Sequence, residues 1–395
     1  MLPGRPPSHA RRTAILAMVV LATASCSQAT RQPQQDPPAT SAMGTHWPGA
    51  SPTTAGHRRS SGSTSPDVYA ADRPGRLSPV VRGFPSRVYV PNTTSGTVDV
   101  IDPATRTVVD HFATGRLPQH VVPSWDLRRL WVTNDQSNTL TPIDPATGRP
   151  GPPVPVADPY NLYFTPDGSR AIVVAERLRR LDFRDPHSMR LRHSLAVPCA
   201  GVDHLDFTAD GRFLLASCEF SGQLLWVDVH REQVLRVVRL EPGSMPQDVK
   251  LAPDGRLFYV ADLRLNGVHL IDAATPRVVG FVATGVGAHG LSVSRDSRSL
   301  YVSNRGEGSI SVLSFATHKV VDTWRLPGGG SPDMGGVSAD GRVLWLAGRY
   351  DAEVYAIDTD TGALQDRITV GQGPHGLCVY PQPGRYSLGH TGVFR

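Results

Sequence analysis

Residues 87–92 read Arg-Val-Tyr-Val-Pro-Asn, and runs of the same kind return six times. They are RLWVTN from Arg129, RAIVVAE from Arg170, RFLLASCE from Arg212, RLFYVAD from Arg256, RSLYVSN from Arg298 and RVLWLAGR from Arg342. Each is rich in β-branched and aromatic residues, which suits a strand. Turn signals precede them: Pro166-Asp167-Gly168, Ala209-Asp210-Gly211, Pro253-Asp254-Gly255 and Ala339-Asp340-Gly341. Taking one turn residue as marker gives Ser86, Leu127, Gly168, Gly211, Gly255, Ser297, Gly341 and Gly384, at spacings of 41, 41, 43, 44, 42, 44 and 43. Seven intervals of one β-unit predict an all-β fold, a seven-bladed β-propeller of four-stranded antiparallel blades.

Within an interval the order is constant. A Gly- or Asn-bearing turn follows the first strand, as at Ser95-Gly96 and Asn266-Gly267, and a second strand ends in Ile/Val-Asp, as at Val98–Asp102 and Val268–Asp272. A third strand and a short fourth one, such as Val249–Leu251 or Leu291–Val293, lead to the next turn. Strands this short need packed neighbours on both faces, which a ring of blades supplies. A β-sandwich would not impose a period near 43 seven times.

These strands resemble the YVTN/YncE-like propellers, known for a Tyr-Val-x-Asn strand. It stands here as Tyr89-Val90-Pro91-Asn92, Trp131-Val132-Thr133-Asn134 and Tyr301-Val302-Ser303-Asn304, over about residues 76–384. The tail, with Gly373-Pro374-His375-Gly376-Leu377 and Tyr386-Ser387-Leu388-Gly389-His390, is similar to exported actinobacterial members. The resemblance implies an extracytoplasmic protein and says little about chemistry, because propellers host many functions. Some relatives bind single-stranded DNA, but the charge distribution argues against carrying that over. Of the net +5, residues 1–86 hold +6, leaving −1 over residues 87–395, so the propeller has no net positive field for phosphates and no nucleic acid is expected.

The 395-residue chain has 38 Gly and 35 Pro, about 18% together, too few for a disordered chain and too many for a helical one. Residues 1–26 read as an export signal: Arg5, Arg11 and Arg12 precede the apolar Thr13–Ala24, which is too short to span a bilayer. Ala22-Thr23-Ala24 suits cleavage and free secretion. Thr23-Ala24-Ser25-Cys26 instead resembles a lipoprotein box, in which Cys26 is lipidated and supplies the only membrane attachment. Residues 27–75, rich in Ser, Thr, Pro, Gly and Gln, read as a disordered linker, and residues 76–395 as the propeller. The propeller is expected to be a monomer outside the cytoplasm, lipid-anchored or secreted. Export suits a Cys199–Cys218 disulfide, the pair lying on adjoining antiparallel strands, with Cys378 an inert core thiol.

The connections that enter the inner strands should surround the mouth of the central channel, where propeller ligands sit. Aligned, they give Gln119-His120, Tyr160-Asn161, Asp203-His204, Gln247-Asp248, Ala288-His289, Asp333-Met334 and Pro374-His375. A second set of turns adds Glu176-Arg177, Glu219, Asp262, Arg305 with Glu307, and Arg349 with Asp351. The expected ligand-binding residues are His120, Asn161, Asp203, His204, Glu219, Asp248, His289, Arg305, Asp333, Arg349 and His375. His120, His204, His289 and His375 recur at 84, 85 and 86 residues, on alternate blades, and are candidate ligands for a transition metal. The alternative is that these rings cap strands and bind channel water.

No nucleophile elbow, His-Glu-x-x-His, Cys-x-x-Cys, P-loop or haem-attachment motif occurs. Two functions follow as expectations. One is a binding or scaffold head whose rim recognises a small polar ligand or a cell-envelope component. The other is a metal-dependent hydrolase or redox enzyme, with Glu176 or Glu219 as ligand or base. A protein-interaction hub on the top or side surface is a third. Residues 76–85 and 385–395 both look able to complete the first blade.

Overall fold

The computed structural model describes residues 67–395. The expected export signal, Cys26 and residues 27–66 of the expected linker lie outside the described residues. Residues 67–75, which the sequence assigned to the linker, are packed: Tyr69 and Asp72 are buried, the Tyr69 hydroxyl donates to the Leu251 carbonyl, and Val68 N–H to that of Pro253. One aromatic ring seated among buried strands outweighs the polar character of its neighbours.

Seven antiparallel sheets form the disc. Their turns explain the repeat. The hydroxyls of Ser124, Thr165, Thr208, Ser294 and Ser338 each donate to the aspartate two residues on, at 2.6–2.7 Å. The residue after each aspartate has positive φ: Leu127, Gly168, Gly211, Ser297 and Gly341. That left-handed step reverses the chain between the inner strand and its neighbour. At the opposite end of the second strand, the repeated asparagine ties the next turn. Asn92 Nδ2 donates to Thr97 and Asp99, Asn134 to Thr139 and Thr141, and Asn304 to Ser309 and Ser311.

The inner strands of the second to seventh blades are Pro118–Pro123, Asn161–Phe164, Val202–Phe207, Pro246–Leu251, Ala288–Val293 and Pro332–Val337. The first blade takes its inner strand from the other end of the chain, where Cys378–Tyr380 pairs with Arg87–Asn92 and closes the ring. The buried apolar residues of the described chain fall into seven clusters, each shared by adjacent blades. One joins Tyr89 and Val98 to Val121 and Val132, and another joins Leu215 and Trp226 to Val249 and Val260. Strands Phe213–Cys218 and Val202–Phe207 bring Cys199 and Cys218 into a disulfide, with Cα atoms 6.1 Å apart, and Cys378 is a buried free thiol.

The sequence left two candidates for completing the first blade, and neither does so. With Cys378–Tyr380 in that place, the end of the chain turns beneath the disc. Ser387–Gly389 and Val393–Phe394 form a hairpin along the free inner edge of Asn161–Phe164, so the third blade has six strands. Gly389 sits where a Cβ would be 2.4 Å from the Leu162 carbonyl, which only glycine allows. Residues 67–84 line the same underside, with Leu77 bridged to Pro383. No helix among the described residues is long and apolar enough to cross a membrane.

Candidate functional site

Five of the inner strands carry one extra residue at their entry, where the register with the second strand slips. Pro118 faces Asn134 while Val121 faces Val132, and the same slip recurs at Val202/Leu205, Pro246/Val249, Ala288/Leu291 and Pro332/Gly335. A bulge of this kind lets two consecutive residues face one side. The channel is therefore lined by two tiers. Counting back from the residue after the bulge puts His120, His204, Asp248, Gly290 and Met334 in the deeper tier; Asn161, in contact with His204, and Gly376, bridged to His120, join them. Gln119, Tyr160, Asp203, Gln247, His289, Asp333 and His375 form the outer one.

This corrects the expected single ring of histidines. His289 and His375 lie one residue earlier in their blades than His120 and His204, and glycines take the deeper positions beside them. At Gly376 a Cβ would stand 2.1 Å from His120 Cδ2, and at Gly290 it would stand 2.7 Å from the Asp333 carbonyl oxygen. All four rings are buried on the same side of the disc. His120 lies 4.9 Å from His375 and 5.6 Å from His204 between ring centroids, and His289 lies 6.0 Å from His375, so alternate blades do converge.

The outer tier centres on Asp333. His289 Nδ1 is 2.6 Å from one carboxylate oxygen, while Arg305, His375 and Arg349 approach the other at 3.3, 3.8 and 3.9 Å. Burial alone would raise this carboxyl, but His289, Arg305 and His375 hold it well below the usual range. Burial lowers the rings: His375 falls well below the ordinary imidazole range, helped by Arg349, and His289 falls with help from Arg305.

Across the mouth the charge reverses. Burial and then Glu219 raise Asp203 well above its ordinary range, although Ser217 Oγ donates to it at 2.6 Å. Burial, Glu219, Asp135 and Asp158 push Glu176 up to about 7. Asp135 and Asp158 are themselves bound by Arg177, at 3.2 and 2.6 Å. The mouth thus has an acidic half on the second to fourth blades and a basic half on the sixth and seventh.

The Glu176 shift has a measurable sign. The folded state keeps a proton that the unfolded chain releases near 4.5, so stability falls as pH rises from there to about 7. Glu176→Gln removes that loss. Relative to wild type, the variant should gain about 1–2 kcal/mol between pH ~5 and pH ~8, allowing for solvent screening. Urea unfolding at both pH values measures it, and an identical difference at each would refute it.

In the deeper tier the structure adds a residue that repeat counting missed. His390, from the terminal hairpin, lies 5.2 Å from His120 and 5.0 Å from His204 between centroids. The Asn161 amide nitrogen contacts His204 Nδ1 at 3.1 Å and His390 Nδ1 at 3.0 Å. His120 Nδ1 is 3.0 Å from the Tyr160 carbonyl. Asp248 is bound by Lys250 at 2.8 Å and accepts from Val249 and Leu291 N–H, which makes it a structural carboxylate. The expected residues therefore divide. His289, Asp333, His375, Arg305 and Arg349 meet in one half of the mouth, Asp203 and Glu219 in the other, and His120, Asn161, His204 and Asp248 lie beneath. The signal for His390 was the Gly-His pair in the tail, but it lies outside the repeat that gave the other positions their register.

Seven blades around a lined channel, six of four strands and one extended to six, define a β-propeller with a polar, histidine-rich axis. The chain belongs to the YNCE-like beta-propeller family, whose model matches residues 76–384. No curated protein matches the chain. Among solved structures it is similar to Kuenenia stuttgartiensis hydrazine synthase, at 18% identity over 72% of this chain and 97% of that one, TM-score 0.62. A functionally unknown protein from Desulfotomaculum acetoxidans DSM 771 matches at 15% identity, over 74% and 98%, with TM-score 0.65. The dihydro-heme d1 dehydrogenase NirN in complex with DHE matches at 14%, over 77% and 76%, with TM-score 0.57. Likeness at these identities concerns the fold, and two of the three are enzymes.

Proposed function

We propose that the protein is an extracytoplasmic binding head whose channel mouth holds a small polar ligand carrying both charges, such as a diamino acid or a short envelope peptide. The observation that supports this is the polarity of the mouth. Arg305 and Arg349 beside Asp333 favour a carboxylate, while Glu176, Glu219 and Asp203 favour an ammonium or guanidinium group. A ligand spanning both halves relieves the carboxylate crowding that raises Glu176, so its binding releases protons near neutral pH. The signal-like pattern of residues 1–26 and the disulfide support the location.

Calorimetric titration with L-arginine, putrescine and glutarate tests the reading. L-arginine is expected to bind more tightly than either probe, each of which carries charge of one sign only, and Arg305→Gln to weaken it by roughly tenfold, the value of one charge-assisted contact. Equal affinity for the three probes, or no binding by any, would overturn it. A second reading, a metal-dependent hydrolase or redox enzyme, is favoured by His289, Asp333 and His375, whose potential ligand atoms lie within 4.8 Å of one another. The guanidinium groups against Asp333 weigh against it, because they compete for the same oxygen.

A further inference from the structure

We propose that His120, His204 and His390 form a site for one divalent transition-metal ion of the zinc–copper class, closed by the C-terminal hairpin. This goes beyond the mouth reading, since it uses deeper residues and a different ligand. One nitrogen from each ring lies within 4.8 Å of the others, and all three residues are fully or almost fully buried. A tetrahedral ion with bonds of ~2.0–2.1 Å holds its nitrogens about 3.4 Å apart, so the rings must close in by roughly 1 Å.

Two observations point to a ligand. His120 Nε2 and His204 Nε2 are buried and have no hydrogen-bond partner, an arrangement that costs free energy unless something fills it. The outer contacts also suit ligation. His120 donates Nδ1–H to the Tyr160 carbonyl, which leaves the Nε2 lone pair free. Asn161 lies between His204 Nδ1 and His390 Nδ1, and a half-turn of its amide places the oxygen where it accepts from both. That turn gives up the contact of Asn161 Oδ1 with Leu162 N–H and frees both remaining Nε2 atoms. Imidazole-only donors suit zinc, copper and nickel better than magnesium or calcium.

The nearest carboxylate, Asp248, is 3.6 Å from His390 Nε2 and already held by Lys250. Three protein donors leave a fourth position for water or a small anion. One donor belongs to the terminal hairpin and not to a repeat strand, so the site is complete only with that hairpin seated on Asn161–Phe164.

The test uses untagged, full-length protein dialysed against chelator, then titrated with zinc and with cobalt. The expected result is one tightly held ion, with an X-ray absorption shell of three imidazole nitrogens and no protein carboxylate. His390→Gln and His120→Gln should each weaken it by roughly 100-fold, the upper range for disturbed ligation, while exposed His318→Gln leaves it unchanged. No stoichiometric ion on wild type, a shell containing a carboxylate, or wild-type affinity in His390→Gln would each overturn the site. Should a variant fail to fold, the wild-type absorption spectrum decides. Binding of L-arginine is read separately, so this site and the mouth can fail independently.

Discussion

Asp333→Ala is expected to destabilise the protein by about 3–5 kcal/mol, the cost of stranding buried charges by removing one partner. Four cationic or ionisable groups converge on this side chain: His289, Arg305, His375 and Arg349. Arg305 keeps its charge at any working pH, and it stacks on Tyr350 at 5.6 Å, so it has little freedom to swing away. Asp333→Asn keeps the shape and loses the charge, and should cost less than the alanine variant. The folded carboxyl titrates well below its ordinary value, so its contribution is present above the usual carboxylate range and fades as pH falls through the depressed folded value. The difference between wild type and Asp333→Ala should therefore shrink in acid. Urea unfolding with unchanged m would measure both effects. A loss under about 1 kcal/mol at neutral pH would mean that the basic half is solvated and that Asp333 is no hub.

Phe394→Ala is expected to cost about 4 kcal/mol, as deletion of a buried aromatic ring does. Phe394 is 1% exposed although it is the penultimate residue, and it packs in the cluster with Val81, Leu127 and Tyr380 beneath the first and second blades. Beside it, Arg395 donates to Asp206 at 2.8 Å and to the Phe207 carbonyl at 3.1 Å. These contacts hold down the hairpin that carries His390. The substitution should therefore lower the melting temperature and make the tail more readily trimmed by carboxypeptidase than the wild-type tail. A normal melting temperature with a protected tail would show that pairing to Asn161–Phe164 suffices without the ring.

Much of the fold was legible in the chain. Positive-φ turn residues and Ser/Thr–Asp pairs recur because each blade solves the same local problem, and local hydrogen bonds need no distant partner. The asparagine of the repeated strand is legible for the same reason. Register at the channel was harder. By spacing, Ala288-His289 and Pro374-His375 look equivalent to Gln119-His120, whereas strand register matches His289-Gly290 and His375-Gly376 to that pair; blade lengths vary by up to three residues, and a shift of one is invisible without strand partners. The bulge then suspends the ordinary alternation of a strand, so the consecutive residues Asp203 and His204 both reach the axis.

What the amino-acid sequence determined was the number of blades, the side of the disc on which the histidine-bearing loops emerge, and the residue types available there. These depend on turn chemistry and period, which are properties of neighbours along the chain. Tertiary structure alone decided which histidines meet, how the charges divide across the mouth, and that the last strand pair fills the third blade and brings His390 beside His120. Those outcomes depend on one-residue register and on which sheet edge remains free once the ring has closed, and both are contacts between residues far apart in sequence.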